Sequence, residues 1–126
     1  LPYRGRSALI RIVLPYPPSV NGLTFNASKG RAKTDDYRLW LQKAGLCVKD
    51  SHRAGFGPYC LHIAVRKPDK RRRDLGNIEK AVSDLLVAHG VVKDDCLAQS
   101  ITLQWDAGMQ EECVVLIQEA SEGMAS

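Results

Sequence analysis

The chain has 126 residues, 44% of them hydrophobic and 25% charged, the make-up of one soluble globular domain. No apolar run approaches the roughly 18 residues a transmembrane helix needs, and no secretory h-region is present, so a cytoplasmic protein with no membrane partner is expected. Lys plus Arg number 18 against 14 Asp plus Glu, a net charge of only +4, so the position of the charge says more than its sum. Residues 7–120 are expected to form one domain, with 1–6 and 121–126 as flexible termini. The four cysteines, Cys47, Cys60, Cys96 and Cys113, lack metal-finger spacing and read as reduced cytosolic thiols.

In chain order, Ala8 to Leu14 is apolar and β-branched apart from Arg11 and reads as a first, well-buried strand. Three prolines and Asn21-Gly22 make the following stretch a rigid loop. Asn26 to Lys33 is polar and reads as a mobile segment whose Asn26, Lys29, Arg31 and Lys33 can reach phosphates. Thr34 is a helix N-cap with Asp35 and Asp36 in the first turn. Tyr37, Trp40, Leu41, Ala44 and Val48 then carry a helix to about Asp50, with Trp40 as a core anchor. Tyr59 to Val65 is a second strand, in which His62 reads as an ordinary strand residue. Leu75, Ile78, Val82, Leu85, Leu86 and His89, with Ala81 beside them, form one stripe of a second helix that ends at Gly90. Ala98 to Trp105 and Glu112 to Glu119 are two further strands, expected to pair as an antiparallel hairpin. The order β-α-β-α-β-β predicts an α+β domain, one mixed sheet with two helices packed on it.

Two features carry chemistry. Arg66, Lys67, Lys70, Arg71, Arg72 and Arg73 crowd into eight positions opposed only by Asp69, a candidate phosphate-contacting patch. Asp74 closes that run, and Asp94-Asp95 follows the second helix. Carboxylates in a phosphate-binding surface repel the substrate unless a cation sits between them. Mg²⁺ accepts one or two carboxylates, keeps waters, and suits phosphodiester hydrolysis. Taken alone, Asp-Asp after a helix is also ordinary turn chemistry.

The segment Lys67-Pro-Asp-Lys-Arg-Arg-Arg-Asp-Leu-Gly-Asn77, then Lys80, then Gly90-Val-Val-Lys-Asp-Asp95, resembles the RusA family of Holliday-junction resolvases. The Pro17-Pro-Ser-Val-Asn21 loop matches the same family, and the resemblance runs from about Leu14 to Trp105. It implies a Mg²⁺-dependent homodimer that nicks four-way DNA junctions symmetrically. It implies Asp74 and Asp95 as metal ligands, Asp94 as partner or alternative, and Lys80 as an active-site lysine that stabilises charge on the phosphate or leaving oxygen. Lys67, Lys70, Arg71, Arg72 and Arg73, with Lys29, Arg31 and Lys33, would hold the DNA.

One position departs from the family pattern Asp-x-Asp-Asn: residue 76 is glycine. Weakened cleavage, recruitment of another carboxylate such as Glu79, and junction binding without cutting all remain open. Geometry raises a second question, because a helix from Asn77 to His89 is about 20 Å long and Asp74 and Asp95 flank it. They meet only if 90–95 doubles back along the helix or a partner chain supplies one of them. The apolar stripe is left open between sheet packing and a dimer contact. A single-strand or RNA-binding module is the remaining alternative, disfavoured because the eight aromatics are few and sparse near the basic run.

Overall fold

The computed structural model describes residues 8–120; the expectation of flexible termini falls outside them. The elements in order are β1 (Leu9–Leu14), β2 (Thr24–Ala27), β3 (Gly30–Lys33), α1 (Asp35–Gly45), β4 (Tyr59–Val65), α2 (Glu79–Ala88), β5 (Ala98–Trp105) and β6 (Cys113–Glu119). The α+β class holds: a four-stranded mixed sheet in the order β1-β6-β4-β5 carries two helices, and β2 and β3 form a separate ribbon.

The expected final hairpin is not formed. β6 crosses the sheet and pairs antiparallel with both β1 and β4, whereas β5 pairs parallel with β4. The physical reason lies in the two strands' burial. Cys113, Val114, Val115 and Ile117 of β6 are all buried, so both of its faces need cover. In β5 none of the residues is fully buried and Gln99, Ser100, Ile101, Thr102 and Gln104 are exposed, which suits a sheet edge. β4, α2 and β5 thus make a parallel crossover unit of the kind that needs a long connection.

The stretch expected to be mobile is instead a β-hairpin. Gly30 takes a positive φ of 101° at its turn. The Arg31 guanidinium donates to Thr24 Oγ1 at 2.7 and 2.9 Å and to Asn26 Oδ1 at 3.1 Å, locking the two strands face to face. Polarity concealed this element because neither of its faces enters the core.

The remaining elements follow the sequence pattern. Thr34 caps α1, its Oγ1 accepting from the Tyr37 N–H at 3.2 Å. α1 stops at Gly45, short of Asp50, and its buried side chains are Tyr37, Trp40 and Ala44. Trp40 is the expected core anchor, and its indole N–H donates to the Pro15 carbonyl at 3.1 Å. That bond fixes the entry to the proline loop, where the Tyr16 N–H donates to Glu112 at 3.1 Å. Ile78, Val82, Leu85 and Leu86 are 0–2% exposed, so the stripe serves the sheet and is unavailable to a second chain. Burying each leucine there contributes about 1.5–3 kcal/mol. Gly90 follows α2 with φ +74°, the expected left-handed stop. All four cysteines are free thiols, and Cys113 is buried, which pushes its thiol up to about 12. Among the described residues no helix is long and apolar enough to cross a membrane.

Candidate nucleic-acid and metal site

The basic run leaves the end of β4 as an exposed loop with internal order. Asp69 accepts from the Arg71 backbone N–H at 3.0 Å and from the Arg71 side chain at 3.0 Å. It also accepts from Arg73 at 2.8 and 3.2 Å. The Arg73 side chain and these other donors hold the Asp69 carboxyl well below the usual carboxylate range. The one acid opposing the run is therefore its organiser. Arg66 is committed elsewhere, donating to the Met109 and Gln110 carbonyls at 3.3 and 2.6 Å. Lys67, Lys70, Arg71 and Arg72 are exposed, and Lys67 and Arg72 are in none of the ion pairs among the described residues.

Two of the eight aromatics lie against this loop. The Lys67 ammonium sits 5.2 Å from the Trp105 ring centre, because the parallel register sets Val65 beside Trp105. Arg73 lies 5.7 Å from the Tyr16 ring centre. Both are cation–π contacts, and no sequence-local signal announces them.

Asp74 follows the loop and begins the 3-10 turn Leu75–Ile78 that leads into α2. Its carbonyl accepts from the Asn77 N–H at 3.1 Å. Its side chain borders an open cleft of about 250 Å³ lined also by Tyr16, Ser19, Arg72, Arg73 and Asn77. Gly76 is exposed in the same turn, and nothing lies within 4 Å of where a Cβ would stand.

The return of residues 90–95 is built by backbone bonds. Gly55 and Phe56 N–H groups donate to the Gly90 and Val91 carbonyls at 2.9 and 3.0 Å, and Lys93 donates back to Phe56 at 2.9 Å. The short turn Asp95–Leu97 then packs on α2. Asp94 caps that turn, accepting from the Cys96 N–H at 3.1 Å. This bond, with one from Asp95, lowers the Asp94 carboxyl below its ordinary range.

Lys80 stands in the first turn of α2, its ammonium 3.0 Å from Asp84. The hydrogen bond that Lys80 donates to Asp84 is the chief cause that raises the Lys80 pKa, with the charges of Asp95 and Glu79 adding to it. The turn that Asp95 opens is thus folded back onto α2 within one chain. Beneath lies Tyr59, 0% exposed. Its hydroxyl has no hydrogen-bond partner. Burial pushes it up to about 12, and Asp95, Glu79 and Asp94 add in that order. Glu79 accepts a hydrogen bond from the hydroxyl of Ser83, a buried polar residue of the core.

The structure sets Glu79 and Lys80 in the first turn of α2 and packs on that helix the turn that Asp94 caps and Asp95 opens. It does not bring Asp74 into a ring with them. Among the described residues no three His, Cys, Asp or Glu side chains stand close enough to hold a metal ion as they are. Lys29, Arg31 and Lys33 lie on the β2–β3 ribbon; Arg31 is engaged within it, while Lys29 and Lys33 are exposed. Sequence reasoning passed over Tyr59, Ser83, Tyr16 and Trp105 as site neighbours.

The chain is 34% identical over 91 residues to the crossover junction endodeoxyribonuclease RusA of Escherichia coli strain K12, covering 67% of this chain and 72% of that protein. The RusA protein of Shigella sonnei gives the same identity and coverage. That of Enterobacteria phage 82 is 33% identical over 91 residues, again 67% of this chain and 72% of the relative. No family model matches the chain. On this similarity the chain belongs to the RusA family of crossover junction endodeoxyribonucleases.

Proposed function

We propose that this protein is a divalent-metal-dependent endodeoxyribonuclease that resolves Holliday junctions by paired, symmetric nicks, acting as a homodimer. The observation that carries the reading is the packing of the turn that Asp95 opens on α2, the helix that carries Lys80 in its first turn. A carboxylate and an ammonium so disposed, beside an exposed cationic loop, match the needs of a scissile phosphate.

The donor set fits a hard cation. Asp95 and Asp94 are exposed oxygen donors on the side of the Tyr59 hydroxyl, which is buried without a partner. Mg²⁺ needs only one or two carboxylates and retains its waters. Asp95, with Asp94 beside it, would hold Mg²⁺, which would supply Lewis-acid stabilisation of phosphate charge, while Asp74 stands apart at the cleft lined by Arg72 and Arg73.

The chain's own residues do the remainder. Lys80, with its proton held more tightly than in a free lysine, stays a cation and is unsuited to be a base. It stabilises charge on the phosphate or donates toward the leaving oxygen. Lys67, Lys70, Arg71 and Arg72 hold the backbone near the cleft, and Asp69 draws Arg71 and Arg73 together on its carboxylate. Junction choice then rests on phosphate positions and branch shape more than on base edges. Two matched nicks in a two-fold junction call for two matched sites, which a C₂ pair provides.

Gly76 favours a second reading, a junction binder of low nicking activity. An end-labelled synthetic four-way junction incubated with protein and Mg²⁺ separates the two. Symmetric nicks on a denaturing gel, lost in Asp95→Asn, support the enzyme. A junction shifted on a native gel yet intact on the denaturing gel supports the binder.

A further inference from the structure

β5 ends on a tryptophan placed where the sheet edge meets the cationic loop. The strand lies at the edge of the four-stranded sheet. Its parallel register sets Trp105 beside Val65, so the basic run, which begins at Arg66, leaves the sheet next to the indole. Trp105 packs against the core yet keeps part of its surface in solvent. With Arg66, Lys67, Asp106 and Ala107 it lines an open cavity of about 480 Å³, larger than the cleft beside Asp74.

What covers the ring is a cation that is free to leave it. The Lys67 ammonium stands 5.2 Å from the ring centre, and Lys67 is exposed and in none of the ion pairs among the described residues. The other groups of the cavity are committed. Arg66 donates to the Met109 and Gln110 carbonyls at 3.3 and 2.6 Å. Asp106 accepts from the Gly108 N–H at 3.1 Å and its own N–H donates to the Val65 carbonyl at 2.8 Å. At an exposed site a cation–π contact is weak, and a base stacked on an aromatic ring gains more. An ammonium in turn gains more on a phosphate oxygen, as a charge-assisted hydrogen bond, than on a ring. A nucleotide can therefore exchange with Lys67, its base taking the ring and its phosphate taking the lysine. The Asp106 carboxylate repels a phosphate from the cavity itself, which keeps the backbone on the loop side and the base inside.

We infer that Trp105 is a stacking platform for a nucleobase left unstacked at the branch point of the DNA, with Lys67 moving from the ring to the neighbouring phosphate. This rests on the junction-resolving reading above and adds to it a residue that senses the branch. In a continuous duplex every base pair is stacked on both sides and offers no free face. At the crossing of a four-way junction the run of stacked pairs is broken, and a base that opens there presents its face. Every base has a π-face, so the platform is indifferent to sequence. The cationic loop grips any DNA backbone; Trp105 is what would tell branched DNA from continuous DNA.

The test is fluorescence anisotropy of the full chain in EDTA, so that no nicking intervenes, with an end-labelled four-way junction, a continuous duplex and a single strand. Trp105→Ala is expected to weaken junction binding about 5- to 150-fold, the span for one lost base–aromatic stack. Duplex affinity should stay as it is, and so should the slope of log K against log salt on the junction, because no phosphate contact is lost. Trp105→Tyr, which keeps a ring, is expected to recover most of the loss. Lys67→Met is expected to lower the salt slope on the junction by about one contact. Equal losses on junction and duplex would mean that the indole only props the loop, and would overturn the inference. Unchanged junction affinity overturns it too, as does a loss seen with the single strand alone; in each case a wild-type preference for the junction leaves the junction reading standing. If the wild-type chain binds the junction no better than the duplex, both fall. Should Trp105→Ala fail to fold, Trp105→Leu keeps apolar bulk without an aromatic face, and its affinities decide in the same way.

Discussion

Tyr59→Phe deletes one oxygen and asks what that oxygen does. The side chain is 0% exposed, and its hydroxyl finds no partner in the folded chain. A buried hydroxyl left unsatisfied costs roughly 1–3 kcal/mol relative to water. Removing it recovers that cost and loses a few weak contacts, so a net stabilisation of about 1 kcal/mol is expected in EDTA. For a domain of this length that raises Tm by about 4 °C. With saturating Mn²⁺ the sign reverses, because the hydroxyl then has a shell to donate into and its loss weakens the bound state. The assay is a pair of thermal melts, with EDTA and with Mn²⁺, for both proteins. Because burial raises Tyr59 to about 12, the hydroxyl is neutral at pH 6–9 and the difference should be flat there. Above the ordinary tyrosine value near 10 the folded chain holds this proton more tightly than the unfolded chain. Stability therefore falls with rising pH through 10–12, and Tyr59→Phe should flatten part of that slope. A lower Tm for Tyr59→Phe in EDTA would refute the reasoning, since it would mean that the hydroxyl is satisfied without a cation.

Three other outcomes follow from the same geometry. Lys80→Met should lower nicking by about 10²–10³-fold, as for loss of one charge-stabilising donor, with junction affinity changed far less; equal losses in both would make Lys80 a binding residue. Arg72→Ala should weaken junction binding and reduce the slope of log K against log salt by about one phosphate contact, measured by fluorescence anisotropy across a salt series. The Asp69 carboxyl is depressed by Arg73 and Arg71, so its stabilisation of the loop is complete above the ordinary aspartate range near pH 4. It is lost as pH falls through the lower folded value. Amide exchange in 67–73 should rise in Asp69→Asn at pH 7, and wild type should approach the variant only in strong acid.

Much of the architecture was legible because it is written in local periodicity. β1 and β5 were found within a residue, Thr34 was identified as a cap, and the Leu85 stripe and the Gly90 stop followed from spacing alone. The order of strands was not, although its cause is present in the residues. Cys113-Val-Val-Leu-Ile117 is apolar on both faces and belongs inside a sheet, while Ala98-Gln-Ser-Ile-Thr102 suits an edge. Adjacency in sequence suggested a hairpin, and burial overruled it. The β2–β3 ribbon escaped because it has no apolar face to betray its period. At the site, Asp95 and Lys80 were singled out by motif, and chain length alone allowed the fold-back that packs the Asp95 turn on the Lys80 helix. Ser83 under Glu79 and Tyr59 under Asp95 were not legible. A serine on a helical stripe and a tyrosine opening a strand look like core until the topology sets acids above them.

The most direct test of the resolvase reading uses a supercoiled plasmid that extrudes a cruciform. Paired nicks made within the lifetime of one complex convert it to linear DNA, whereas independent single nicks give open circles first. Linear product with Mg²⁺, absent in Asp95→Asn and in EDTA, is the expected result. A plasmid that is retarded on a native gel but remains supercoiled would show that this RusA-family chain binds junctions without resolving them.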